Sequence, residues 1–134
     1  MAEELKAKAR RLWSEIFPSG DIDGLAEIIA EESIDHDARS DEPQGLAGVQ
    51  RTTLWLGSVF SDQRWEIHQV IGEGDVVVVY CTLHGRQTGD LMGIPPTNRV
   101  VAMDYVHILR FKDGKAVEHR SVRDEMALMR QLGV

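Results

Sequence analysis

The stretch from Asn98 to Asp124 constrains the fold most, because two β-prone runs meet there at Lys112-Asp113-Gly114. Asp-Gly flanked by dense Val, Ile, Tyr and Phe is a β-hairpin signal. Register decides which side chains share a face, since a slip of one residue exchanges the faces. A two-residue Asp-Gly turn sets Lys112 opposite Lys115 and His107 opposite Arg120. A three-residue Lys-Asp-Gly loop with Gly114 in a bulge sets Phe111 opposite Lys115 and His107 opposite His119. The longer loop sorts the residues better and is the one expected. It gathers Tyr105, His107, Leu109, Phe111, Val117, His119 and Ser121 on one face, with Asp104, Arg110, Glu118 and Arg120 on the other. An apolar face dotted with imidazole, phenol and hydroxyl groups is how the wall of a small-molecule pocket is composed.

Ahead of the hairpin, apolar residues at helical spacing predict an amphipathic helix over 2–17, ended by Pro18-Ser19-Gly20, and a shorter one over 22–32. Ser33 to Asp37 reads as extended and leads through a polar loop to Gly45. A third helix, about 45–60, is expected to bury Val49, Thr53, Leu56 and Phe60. Strands over 65–72 and 75–84 follow, and the Val76–Tyr80 run predicts a central strand covered on both faces. Residues 85–98, with three glycines and Pro95-Pro96, form a connection or irregular edge that could rim a cavity. A short helix over 124–132 closes the chain, with Asp124 as its N-cap. Helices followed by an antiparallel meander indicate an α+β domain, helices packed on one face of a curved sheet.

At 134 residues the chain is expected to be one domain, 1–134. A net charge of −7, with its one basic cluster (Lys6, Lys8, Arg10, Arg11) spread around a helix, argues against a nucleic-acid footprint. The single cysteine, Cys81, sits in an apolar strand and reads as a buried structural thiol. The charged N-terminus is unlike a signal peptide, and the longest apolar run, Val76–Cys81, is too short for a bilayer. A soluble, cytoplasmic protein is expected.

Candidate chemistry narrows to histidine. His36 lies between Asp35 and Asp37, but neighbours in an extended segment point to opposite sides and cannot chelate one ion. His107 and His119 could supply two metal ligands only if His36 or His84 came to join them. Ser121 near His119 is spaced for shared lining rather than for a nucleophilic dyad. Two imidazoles on one apolar face suit general acid–base work, because their pKa values can be pushed apart. Against this stands the plainer reading of each as a core histidine bonded to backbone or neighbour. Trp13, Trp55 and Trp65 read as core or pocket-lining aromatics.

Leu91-x-Gly93-x-Pro95-Pro96-Thr97, Val106-His107, Arg110, Asp113-Gly114-Lys115, His119-Arg120, Asp124 and Arg130-Gln131-Leu132-Gly133 together resemble the C-terminal half of the SnoaL-like polyketide cyclases. The first helices, the segment near His36, Gly45-x-x-Gly48 and Phe60-Ser61 extend the likeness more loosely over the N-terminal half. The resemblance implies a cone-shaped α+β barrel, a curved antiparallel sheet wrapped around the N-terminal helices with an internal apolar cavity, and frequent dimerisation through the sheet. It implies ring closure of aromatic polyketide methyl esters by intramolecular aldol condensation, without metal or cofactor; relatives in the same pathways act as hydroxylases. It also implies an acid–base aspartate where this chain has Ser121, and a pocket glutamine where it has Tyr105, while His107 is kept. The expected function is therefore an acid/base enzyme, of isomerase or lyase type if active, on a small apolar carbonyl compound. His107 and His119 would be catalytic, and His36, Tyr105 and Ser121 would bind substrate. The alternatives are a non-enzymatic domain that holds a hydrophobic ligand, and a polyketide hydroxylase.

Overall fold

The computed structural model describes residues 2–38 and 42–134. The polar loop expected before Gly45 falls partly on residues 39–41, outside the described residues. Helix α1 (Ala2–Arg11) runs on through a π turn (Leu12–Ile16) into a last α turn, α2 (Phe17–Ser19), which Gly20 ends in a left-handed conformation, φ 72°. Pro18 offers no N–H to the preceding turn, and the Phe17 N–H reaches back five residues to the Leu12 carbonyl. Asp21 caps the short α3 (Ile22–Leu25), accepting from the Gly24 N–H at 3.1 Å.

The helix expected over 22–32 stops at Leu25, and strand β1 (Ile29–Asp35) takes its place. Gly24 weakens the helix, and an open sheet edge offers the backbone better partners. The Ala116 N–H donates to the Ile28 carbonyl at 2.7 Å and the His36 N–H to the His119 carbonyl at 3.0 Å. Helix α4 (Gly45–Val59) then lies close against β1. Gly45 (φ 76°) permits the approach, since a Cβ there would stand 2.1 Å from the Glu31 carbonyl oxygen; at Gly48 a Cβ would stand 2.1 Å from the Pro43 carbonyl oxygen, in the segment that leads into α4.

Strands β2 (Phe60–Glu73), β3 (Val76–Gln87), β4 (Val100–Lys112) and β5 (Lys115–Arg123) form the antiparallel meander, and α5 (Glu125–Leu132) follows. The sheet order is β1-β5-β4-β3-β2, with β1 parallel to β5, so the sheet is not wholly antiparallel and stays open between β1 and β2. Val77, Val79 and Cys81 are fully buried under the helices, whereas Tyr80 is 40% exposed on the far side. β3 is thus interior to the sheet but covered fully on one face only, a correction to the expected double burial. Among the described residues no helix is long and apolar enough to cross a membrane.

The hairpin turn is the shorter one. Lys112 pairs with Lys115, and Asp113 (φ 52°) and Gly114 (φ 80°) are both left-handed, as a two-residue type I′ turn requires. A bulge then inserts Val117 between the pairs Phe111–Ala116 and Arg110–Glu118. Beyond it His107 faces Ser121 and Leu109 faces His119. The expected register is off by two residues there, and two is the strand period, so His107, His119 and Ser121 still share a face. Ala116, not Val117, is the buried residue near the turn.

Candidate active site

Alternation along β4 turns Tyr105, His107, Leu109 and Phe111 inward, and the bulge brings His119 and Ser121 of β5 to the same side. These side chains meet the π turn, α2, α4 and the end of β1 around a cavity of about 430 Å³. Trp13, Phe17, Trp55, Phe60 and Trp65 supply its aromatic wall, and Leu91 and Met92 of the 88–98 connection also line it. Its polar lining includes Asp35, Asp37, His107, His119, Ser121 and Arg123.

The two imidazoles touch. His107 Nδ1 lies 3.0 Å from His119 Nε2, so one ring donates to the other. On the far side of His119, its Nδ1 lies 3.3 Å from Asp35 Oδ1, brought there by the parallel pairing of Asp35 with His119. The same carboxylate oxygen accepts from the Asp37 N–H at 3.0 Å, and Asp37 Oδ2 accepts from the Ser121 N–H at 2.8 Å. The Ser121 hydroxyl accepts from Arg123 Nη1 at 3.2 Å, and Arg123 also donates to Glu125 at 3.0 Å.

His107 is 3% exposed and packs flat on Trp13, centroids 3.9 Å apart and planes at 17°, with the Tyr105 ring stacked at 5.0 Å. Burial drives its pKa well below the ordinary 6.5, and the nearby charges of His119 and Arg123 push the same way. Burial also raises the Tyr105 phenol to about 12, which keeps it a hydrogen-bond donor at neutral pH. At Asp35 burial works upward, but hydrogen bonding and charge from His119, the Asp37 N–H and Arg123 outweigh it and hold the carboxyl below its usual range. Two buried polar atoms of the cavity wall have no hydrogen-bond partner among the described residues: Trp13 Nε1, a donor, and His107 Nε2. Buried polar atoms are nearly always paired, so two unpaired ones on stacked rings set this part of the wall apart from the rest of the core.

Of the residues expected at the site, Tyr105, His107, His119 and Ser121 come together around the cavity. His36 does not. Its Nε2 is 3.9 Å from Glu118 Oε2, across from the Arg110–Glu118 ion pair at 2.8 Å. His84 is bonded to Glu66 at 2.8 Å, so neither histidine joins the central pair.

The family model for the SnoaL-like polyketide cyclases matches residues 7–132. The chain belongs to this family. Similar proteins include the aklanonic acid methyl ester cyclase DauD of Streptomyces sp. (strain C5), 33% identical over 129 residues, covering 92% of this chain and 78% of that one. The nogalonic acid methyl ester cyclase of Streptomyces nogalater is 39% identical over 80 residues, which cover 59% of this chain and only 60% of that cyclase. Among solved structures, TsrD from Streptomyces laurentii superposes with a TM-score of 0.92 at 23% identity, over 99% of this chain and 97% of its own, a likeness of fold. IdmH from Streptomyces antibioticus gives 0.83 at 28% identity, over 97% of this chain and 99% of its own.

In this SnoaL-like chain Asp35 stands beside His119 and Asp37 beside Ser121, two carboxylates for which the residue pattern suggested no role at the site. No local signal reaches them: Asp35 meets His119 through the parallel pairing of β1 with β5, and Asp37 lies in the turn after β1.

Proposed function

We propose that the chain catalyses an intramolecular aldol ring closure of a small, largely apolar carbonyl compound, with the His107–His119 pair as its acid–base group. The observation that carries this reading is the 3.0 Å contact of two imidazoles inside an otherwise aromatic and aliphatic hollow. The pair takes a proton from the carbon beside a carbonyl, leaving the electron pair as an enolate. Tyr105, buried and protonated, donates a hydrogen bond to the enolate oxygen as charge develops there. The enolate carbon attacks a second carbonyl of the same molecule, and the imidazole pair returns the proton to the new alkoxide. No atom is gained or lost and no electron is transferred, so this proton inventory suffices. Ser121 and Arg123 supply polar contacts at the wall, and His36 has no part in this reading.

The family resemblance puts an aspartate at position 121, and serine there cannot take a proton from carbon unaided. The carboxylate oxygens of Asp35 and Asp37, each within 3.3 Å of a β5 group, support a transfer of the anionic role to β1 and the turn after it. The test uses aklanonic acid methyl ester with wild type and His107→Ala. A fall in rate of about 10²–10⁴ is expected for removal of an acid–base group. Equal rates would take His107 out of the mechanism. Ester that binds and is recovered unchanged would favour a domain that only sequesters its ligand.

A further inference from the structure

From the geometry around β1 and β5 we infer that Asp35 is a positioning residue, one that fixes the tautomers of both imidazoles so that the basic lone pair emerges on His107 Nε2. The assignment rests on the acid–base reading above, but it follows from counting protons. An ionised carboxylate only accepts. Asp35 Oδ1, in ion-pair contact with His119 Nδ1 at 3.3 Å, therefore draws the proton of neutral His119 to Nδ1. That leaves His119 Nε2 as an acceptor, so across the 3.0 Å contact His107 must donate from its own Nδ1. Neutral His107 then has its lone pair on Nε2, the one buried imidazole nitrogen without a hydrogen-bond partner among the described residues.

The arrangement solves a problem that His107 alone could not. A buried imidazole stacked on tryptophan is a poor place for a positive charge. When Nε2 takes a proton from substrate carbon, the Nδ1 proton can move to His119 Nε2. The charge then resides on His119, beside the Asp35 carboxylate and on a ring with 22% of its side chain exposed. The reverse transfer restores both tautomers as the alkoxide is protonated. Asp35 is itself held in place by the Asp37 N–H, which donates to the same oxygen.

Long-range ¹H–¹⁵N spectra of the imidazoles in the full chain test this without any substrate. In wild type His107 Nε2 should show the shift of a bare nitrogen and His107 Nδ1 that of a protonated one, with His119 likewise protonated at Nδ1. Asp35→Asn keeps a carbonyl oxygen that can accept, so the same tautomers are expected. Asp35→Ala removes the anchor, and His107 Nε2 should become at least partly protonated. A wild-type spectrum with the proton on His107 Nε2 overturns the inference even if neither variant folds, and so does an Asp35→Ala spectrum identical to wild type. With aklanonic acid methyl ester as probe, Asp35→Ala should lower kcat at least about tenfold, and an unchanged kcat counts against the assignment. If wild type itself does not turn the ester over, the proposed reaction fails for that substrate and the spectra alone decide the relay.

Discussion

Gln87 holds Thr97 twice through a single amide oxygen: Oε1 accepts from the Thr97 N–H at 3.0 Å and from its hydroxyl at 2.7 Å. Its Nε2 meanwhile donates toward the carbonyls of Gly89, Ile94 and Pro95 at 3.1–3.2 Å. One fully buried side chain thus ties down the glycine- and proline-rich connection that brings Leu91 and Met92 to the cavity. Gln87→Leu should cost at least about 2 kcal/mol in a urea titration, because several backbone groups lose their partner at once. Limited proteolysis should cut first within residues 88–98, and cleavage elsewhere would show that the amide is not the fastener.

The depressed pKa of His107 makes stability depend on acidity. In the unfolded chain the imidazole takes its proton near pH 6.5, while in the folded chain burial resists it. The unfolded state therefore binds more protons as pH falls below about 6.5, and stability declines until the folded imidazole protonates too. The slope from this one group approaches about 1.4 kcal/mol per pH unit. Asp35, whose folded pKa is lowered, adds its own loss only at more acidic pH, below about 3.9. Denaturant titrations of wild type and His107→Gln between pH 7 and 5 should diverge, with the variant flatter.

At Gly45 a methyl group would meet the Glu31 carbonyl oxygen at 2.1 Å, and the backbone is left-handed as well. Gly45→Ala should lose about 2 kcal/mol or more, since steric and conformational costs add. Gly57→Ala, where nothing stands within 4 Å of the new Cβ, is the control and should be neutral or slightly stabilising. Similar melting temperatures for the two would show that α4 can move off β1 freely.

Placing a carboxylate at position 121 should bring conflict with Asp37, whose Oδ2 already accepts from the residue 121 N–H at 2.8 Å. Two like charges that close raise the pKa of one of them. A carboxyl whose folded pKa is raised loses stability as pH rises through the interval above its unfolded value. Relative to wild type, Ser121→Asp should thus be less stable by about 1–2 kcal/mol at pH 7 than at pH 4, and Asp37→Asn in the same chain should remove the difference. Equal stability profiles would mean the new side chain turns away from Asp37.

The hairpin, its inward imidazoles and the last helix with its Asp124 cap (3.0 Å from the Ala127 N–H) were legible because alternation and turn chemistry are local signals. Even the mistaken loop left His107, His119 and Ser121 on the right face, since an error of two residues preserves sidedness. What could not be read was non-local. Ile29–Asp35 becomes a strand only because the edge of β5 is there to receive it, and no window around Ile28 contains that information. The Val117 bulge and the π turn under Trp13 are likewise choices made by packing. Asp35 was passed over for the same reason: its partner His119 becomes its neighbour only through the parallel pairing.

That pairing joins Asp37 to Ser121, 84 positions apart. A nascent polypeptide must release nearly all its length before Asp35 and Asp37 can find the last strand, and such distant contacts form late because closing the intervening loop is entropically unfavourable. The Asp35–His119 and Asp37–Ser121 contacts are accordingly properties of the completed fold alone, absent from any fragment that lacks β5.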